Sequence, residues 1–306
     1  MGREICDSHS RITDHLNSMK KILVTGATGF IGHYVINTLL ELNCKVVATS
    51  ANAHKAMKAP WFSQVSYIPF KLQDYDPFIN FFSFFEYPDA VIHLAWEDLP
   101  NYKAAFHLEE NLPRHKAFLQ NMITNGLMDL TVTGTCFEYG MQEGCLSEEM
   151  PVKPANSYAE AKDEFRRFLV EWQQKLPFSL KWVRLFYMYG KGQGPNSLFS
   201  QLDAAIERGD QTFNMSGGEQ ERDYLPVERM AEYIVRIALQ NEVIGVINCC
   251  SGEPVKLKHM VENYLRIRDK KIFLNMGYYP YSDYEPMRFW GNDLKLKKVL
   301  HDYIPK

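Results

Sequence analysis

The chain has 306 residues, 46% of them hydrophobic and 23% charged, which suits a globular protein of one large domain or two modest ones. A formal net charge of -3 argues against nucleic acid or an anionic membrane surface as the main partner. No apolar run reaches the roughly 18 residues that cross a bilayer, and six cysteines without a CxxC pair or framework spacing (Cys6, Cys44, Cys136, Cys145, Cys249, Cys250) read as reduced, mostly buried thiols of a cytoplasmic protein.

Residues 1–18 are polar and lack the apolar segment of a secretory signal. They read as a disordered extension, with the folded domain starting at Met19. From there short apolar runs alternate with helical patterns. KILVT (21–25) is a buried-strand run, and FIGHYVINTLLEL repeats its apolar residues at helical spacing. KVVAT (45–49), VSYIPF and DAVIHLA (89–95) follow as strands, then a helical stretch over 101–125. LTVTGT (130–135) is the fifth strand, 157–176 a helix and KWVRLFY (181–187) the sixth strand. Such alternation predicts an α/β fold, a Rossmann-type doubly wound parallel sheet over 19–189. Beyond residue 190 the pattern changes to KGQGPN, a helix (197–208), GGEQERDY, a helix (227–240), the short strand VINCC and a helix near 256–267. We read 190–306 as mainly a smaller, loop-rich substrate lobe, some segments of which return to the first domain.

Gly26-Ala27-Thr28-Gly29-Phe30-Ile31-Gly32 lies between the first strand and the first helix. That position makes it a dinucleotide loop. The first glycine permits the turn, the second lets N–H groups approach a pyrophosphate, and the third lets helix and sheet pack closely. The helix N-terminus adds partial positive charge. No Gly-Lys-Ser/Thr ends the loop, so ATP is not bound in the P-loop manner. An acidic residue after the second strand would hold the adenosine ribose of NAD and repel a 2′-phosphate. Here no carboxylate stands between Glu41 and Asp74. NADP(H) is therefore favoured over NAD(H), with Ser50, Asn52 and Lys55 as candidate phosphate contacts. Metal binding is not expected.

Tyr158 and Lys162 stand at i and i+4 of one helix. A neighbouring ammonium is expected to lower the phenol's pKa and make Tyr158 an acid–base group; an exposed helical pair is the alternative. Thr135, at the end of the fifth strand, falls where an open α/β sheet places its ligand.

The chain resembles the extended short-chain dehydrogenase/reductase family, in its nucleotide-sugar branch, over roughly residues 19–302. The resemblance rests on GATGFIG, Asp74, His93-Leu94-Ala95, TGTCFEYG (133–140), YAEAK and RDYLPVE (222–228). It implies Thr135, Tyr158 and Lys162 as the catalytic set. It assigns Gly26, Thr28, Gly29, Phe30, Ile31, Gly32, Asp74, Leu94, Ala95, Trp96 and Thr133, with Tyr158 and Lys162, to the cofactor. Asp74 would meet the adenine, and Asn111 would have a structural role near the site. Asn196, Arg222 and Arg288, with Thr135, would meet the substrate, a nucleotide-diphosphate sugar whose diphosphate Arg222 would grip; an ion pair with Asp223 is the other reading of Arg222. A homodimer through 101–125 and 157–175 is implied as well.

Departures from the family pattern narrow the chemistry. Similar 4,6-dehydratases carry Asp-Glu after the catalytic Thr, and this chain has Cys136-Phe137. The cysteine and histidine that resemble those of 3,5-epimerase/reductases are absent from their places, and Cys136 reads as packing. Glu138 stands where an apolar residue is usual. The expectation is an NAD(P)H-dependent reductase of a nucleotide-linked 4-keto-6-deoxy sugar. An NAD-dependent nucleotide-sugar 4-epimerase and a non-catalytic cofactor-binding regulatory protein remain as alternatives.

Overall fold

In the computed structural model, which describes residues 19–301, the first half of the chain alternates strands and helices. They are β1 (Lys21–Thr25), α1 (Phe30–Glu41), β2 (Lys45–Thr49), α2 (Ala53–Met57), β3 (Ser66–Tyr67), α3 (Phe81–Phe84), β4 (Ala90–His93), α4 (Leu112–Thr124), β5 (Asp129–Thr135), β6 (Gly144–Leu146), α5 (Ser157–Gln173) and β7 (Ser179–Leu185). The second half holds β8 (Tyr187–Tyr189), α6 (Leu198–Arg208), β9 (Thr212–Asn214), β10 (Glu221–Pro226), α7 (Val227–Leu239), β11 (Gly245–Cys249), β12 (Pro254–Lys256), α8 (Leu257–Ile267), β13 (Phe273–Asn275), β14 (Phe289–Gly291) and α9 (Leu294–His301). The expectations for residues 1–18, Cys6 included, lie outside the described residues.

Seven strands form one sheet in the order β11-β7-β5-β4-β1-β2-β3, with every pairing parallel. This is the doubly wound arrangement, and the chain reverses direction across the sheet between β1 and β4. A crevice opens there at the C-terminal strand ends. Period-two alternation divides the core between two faces. Ile22 and Val24 of β1 pack with Val35, Ile36 and Leu39 of α1 and with Ile234 of α7. Leu23 packs on the other face with Leu119 of α4 and Phe165 of α5. A separate cluster of Phe199, Leu202, Phe213, Leu257 and Val261 fills the lobe.

Some expected elements are shorter or divided. VSYIPF is regular strand only at Ser66–Tyr67, on the sheet edge, although Ile68 and Phe70 N–H still donate to the Ala48 and Ser50 carbonyls; Pro69 is tolerated there because its nitrogen faces away from β2. The 181–187 run belongs to two sheets: β7 ends at Leu185, and Tyr187–Tyr189 pairs instead with β10. The 101–125 stretch begins as turns, passes through a π-helical turn at His107–Asn111 and becomes α-helical at Leu112. VINCC and the 227–240 helix return to the main sheet, β11 pairing with β7 and α7 packing beneath it.

Candidate active site

The loop after β1 is shaped by close approach. Gly26 has φ +68, and a Cβ there would lie 2.8 Å from the Ala95 nitrogen. A Cβ on Gly32 would overlap the carbonyl oxygens of Gly26 and Ala27. The first turn of α1 has no side-chain cap and no acidic residue, so its N–H groups are left for an outside acceptor. Thr28 and Gly32 are buried, Phe30 and Ile31 half-buried, and Gly29 exposed. Leu94, Ala95 and Trp96, all half-buried, continue β4 past this loop, where the Ala95 N–H donates to Thr25 Oγ1 at 3.3 Å. A cradle that cannot take a Cβ beside an uncapped helix N-terminus fits a dinucleotide pyrophosphate.

At the end of β2, Ser50 is buried and hydrogen-bonded to the Tyr67 hydroxyl at 3.0 Å. The Asn52 side chain caps α2 by accepting from Lys55 N–H, while Lys55 and Asp74 are exposed. Of the three phosphate candidates, Lys55 is thus the one whose side chain is held least.

The catalytic candidates meet at the end of β5. Asn156 caps α5 by accepting from Ala159 N–H, which fixes where the helix begins. Tyr158, Ala161, Lys162, Phe165 and Leu169 form its buried face, at helical spacing. Tyr158 and Lys162 are therefore core positions, 8% and 2% exposed, not an exposed pair. Lys162 Nζ donates to the Thr133 carbonyl at 2.9 Å and sits 4.0 Å from the centre of the Trp96 ring. The Thr135 hydroxyl is near enough to the Tyr158 phenol to favour its ionised form.

The expected fall in the phenol's pKa is corrected. Burial, and after it the neighbouring Tyr102, push Tyr158 well up, and the Thr135 hydroxyl only partly offsets them. The lysine amine points to Thr133 and Trp96, with the Tyr158 ring centre 6.0 Å away. Burial brings Lys162 itself down to about 7, with Glu138 opposing. Without a ligand, Tyr158 is a protonated acid at neutrality.

Beside Tyr158 a cleft of about 430 Å³ is lined by Pro100, Asn101, Tyr102, Lys103, Ala104 and Tyr284. Its aromatic wall continues from Tyr102 to Phe137, with ring centres 5.0 Å apart. Cys136 is buried behind it in an apolar cluster, and burial pushes its thiol far up. Among the described residues all five cysteines are free, and only Cys145 is exposed. Also among them, no group of three or more His, Cys, Asp or Glu could hold a metal ion.

The lobe supplies Arg222, which is buried and paired with Glu285 at 3.0 Å, not with Asp223. Asp223 instead accepts from Ser251, Gly252 and Gly291. The Arg222 guanidinium lies 4.6 Å from the Phe289 ring centre. Arg288 faces solvent and pairs with Glu221 at 2.6 Å, and Asn196 is exposed in the loop before α6. Asn111 is buried and holds the Glu97 carbonyl at 3.0 Å.

Sequence reasoning missed three participants: Glu285 on Arg222, Trp96 against the Lys162 amine, and the partners of Glu138. Glu138 is fully buried, bonded to Thr135, Trp182 and Arg184. Its signal was a lone carboxylate in an otherwise apolar turn.

Comparison with known proteins adds the following. Residues 22–250 match the model of a family described as the NAD dependent epimerase/dehydratase family. The chain is 27% identical, over 88% of its length and 98% of the relative's, to dTDP-6-deoxy-L-talose 4-dehydrogenase (NAD(+)) of Aggregatibacter actinomycetemcomitans. It is 25% identical, over 91% of its length and 94% of the relative's, to GDP-6-deoxy-D-talose 4-dehydrogenase of the same organism. A solved structure of UDP-glucuronic acid 4-epimerase from Bacillus cereus, in complex with UDP-glucuronic acid and NAD, superposes with a TM-score of 0.79 at 22% identity, covering 94% of each chain.

Proposed function

The chain belongs to the NAD-dependent epimerase/dehydratase family, and from that premise we propose that it interconverts a ketone and an alcohol at C4 of a nucleotide-linked 6-deoxysugar, working as the 4-keto reductase. The observation that carries this reading is the Thr135 hydroxyl acting on the buried Tyr158 phenol, one helical turn from Lys162, with no acid–base pair in the two residues after Thr135. The names of the two bacterial relatives, both 6-deoxytalose 4-dehydrogenases, support the same bond and the same sugar class. The aromatic wall of Tyr102, Phe137 and Tyr284 suits an apolar C6 methyl better than a C6 hydroxyl or carboxylate.

When bound, the nicotinamide supplies the hydride that C4 receives. The residues do the rest. Tyr158, protonated at neutrality, gives its proton to the oxygen that develops negative charge. Thr135 holds that oxygen by a second donor, and two aimed donors make the main electrostatic contribution. Lys162 would stabilise the phenolate left behind and would help to hold the cofactor ribose. Residues 19–189 would hold the dinucleotide, and the lobe from 190 onward, through Arg222, the sugar's diphosphate. The family-implied homodimer through the α4 and α5 faces is part of the same proposal.

For the cofactor we propose NADP(H), because the segment between Glu41 and Asp74, which carries Ser50, Asn52 and Lys55, holds no carboxylate to repel a 2′-phosphate. The first relative's name carries NAD(+) and points the other way. Titrating both cofactors decides: tighter NADP(H) supports the proposal, and equal or tighter NAD(H) overturns it. The reaction is tested by following reduced cofactor with dTDP- and GDP-linked 4-keto-6-deoxyhexoses. Net cofactor oxidation yielding a 4-hydroxy sugar is the expected result. Interconversion of 4-epimers without net cofactor turnover would establish the epimerase instead, and inertness toward every nucleotide sugar would refute both.

A further inference from the structure

Behind Thr135 lies a buried ionic cluster to which the proposed chemistry gives no task. Glu138 has no exposed surface. Its carboxylate accepts from the Thr135 main-chain N–H at 2.9 Å, from Trp182 Nε1 at 2.9 Å and from Arg184 Nε at 2.7 Å. Arg184 lies 4.5 Å from the centre of the Tyr139 ring, and the Tyr139 hydroxyl donates to Asn248 Oδ1 at 2.8 Å. The turn after β5 is thereby tied to β7 and β11. Gly134 belongs to the arrangement, since a Cβ there would overlap both the Trp182 indole and the Glu138 carboxylate.

A buried carboxylate–guanidinium pair is often no more stable than apolar packing of the same volume. Stability alone therefore does not account for this one. Its geometry does point to a task. Thr135 and Glu138 form a reciprocal capping box: Thr135 Oγ1 accepts from Phe137 N–H at 3.3 Å while Glu138 holds Thr135 N–H. The box fixes both the main chain and the hydroxyl rotor of Thr135.

Resting on the reading of Thr135 and Tyr158 as catalytic, we propose that Glu138 is a positioning residue of the reaction. Its carboxylate clamps the Thr135 main chain and keeps the hydroxyl aimed at the substrate oxygen beside Tyr158. Arg184 neutralises the clamp. The acceptor at position 138, more than its charge, carries the effect.

Two double variants separate these roles, because each removes the ion pair whole and leaves no buried charge unpaired. Glu138→Gln/Arg184→Met retains an acceptor for Thr135 N–H, and Glu138→Leu/Arg184→Met does not. Misplacing a reacting group by about 1 Å costs about 10²-fold. The Leu/Met variant should thus lose about ten- to a hundredfold in kcat, with substrate KM and cofactor Kd held. The Gln/Met variant should recover to within about threefold of wild type. Equal kcat in the two folded variants, a loss in Gln/Met as large as in Leu/Met, or a fall confined to KM overturns the proposal. Failure of both to fold overturns it too, by assigning the cluster to folding alone. Tyr158→Phe, assayed alongside, isolates the underlying reading. If that variant keeps full turnover, the catalytic assignment falls whatever Glu138 does.

Discussion

Replacing Tyr158 by Phe removes one oxygen from a site with little water, the residue being 8% exposed. The ring keeps its neighbours, with centres 5.6 Å from Tyr102, 5.4 Å from His107 and 6.1 Å from Trp96. Folding loses at most one neutral polar contact, with Thr135, worth no more than about 1 kcal/mol, and is relieved of burying the phenol oxygen. The net change in stability should be within about 1 kcal/mol. Catalysis loses its proton donor, which typically costs 10²–10⁴-fold, or about 3–5 kcal/mol in the barrier. Thr135 remains to hold the oxygen but is too weak an acid to replace the phenol. Single-turnover reduction with deuterated cofactor is the assay, because the isotope effect reports whether hydride transfer limits the rate. Turnover within a few-fold of wild type, with a full isotope effect, would refute the argument. The raised phenol pKa gives a related sign: Tyr158 stays protonated, so reduction should lose no rate through its titration between about pH 6 and 9, whereas oxidation of the alcohol should speed up as pH rises.

Gly32→Ala should weaken cofactor binding at least about tenfold, because its methyl must push the start of α1 away from the Gly26 and Ala27 carbonyls; an unchanged calorimetric Kd counts against the cradle. Glu285→Gln should lower substrate KM several-fold, since the carboxylate competes with a diphosphate for Arg222, and a KM that rises or stays put removes Arg222 from the binding site. Acid should destabilise the fold through His93, which is buried between Thr25 and His115. Burial, with Lys162 second, lowers its pKa to about 3, while the unfolded chain takes up that proton near 6.5. This contribution is therefore whole above about pH 6.5 and is lost at about 1.4 kcal/mol per unit below it. The stability difference between wild type and His93→Gln, measured from neutral pH down to about 4.5, should show that slope, and a pH-independent difference would contradict it.

The sequence displayed those features whose physics is local. β1 and β2 occupy the residues of their apolar runs, and β5 differs by a single residue. The glycine loop falls between strand and helix because three glycines are needed there for close approach. Long-range pairings were not visible. Glu138 meets Arg184 across 46 residues and Glu285 meets Arg222 across 63, and no periodicity encodes such a distance. The division of 181–187 was hidden because the apolar run continues unbroken while its hydrogen-bonding partners change from β5 and β11 to β10. The direction of the Tyr158 shift was misjudged for a different reason. Spacing says that two side chains share a helix face, but which face meets the core depends on Phe165 and Leu169 further along.

That face has a consequence for how the enzyme could decay or be engineered. Tyr158 and Lys162 fill places on α5 where a helix of this kind would ordinarily put leucine or methionine. Burial disfavours the charged form of Lys162 and the ionised form of Tyr158, so the proposed catalytic pair is held against the preference of its surroundings. On the proposed mechanism, Lys162→Met would relieve that conflict, at the cost of the contacts to Thr133 and Trp96, and would lower turnover. Wherever the relief outweighs those contacts, selection for robustness alone would drift toward a sturdier, less active relative, and screens that score melting temperature without turnover would reward the loss.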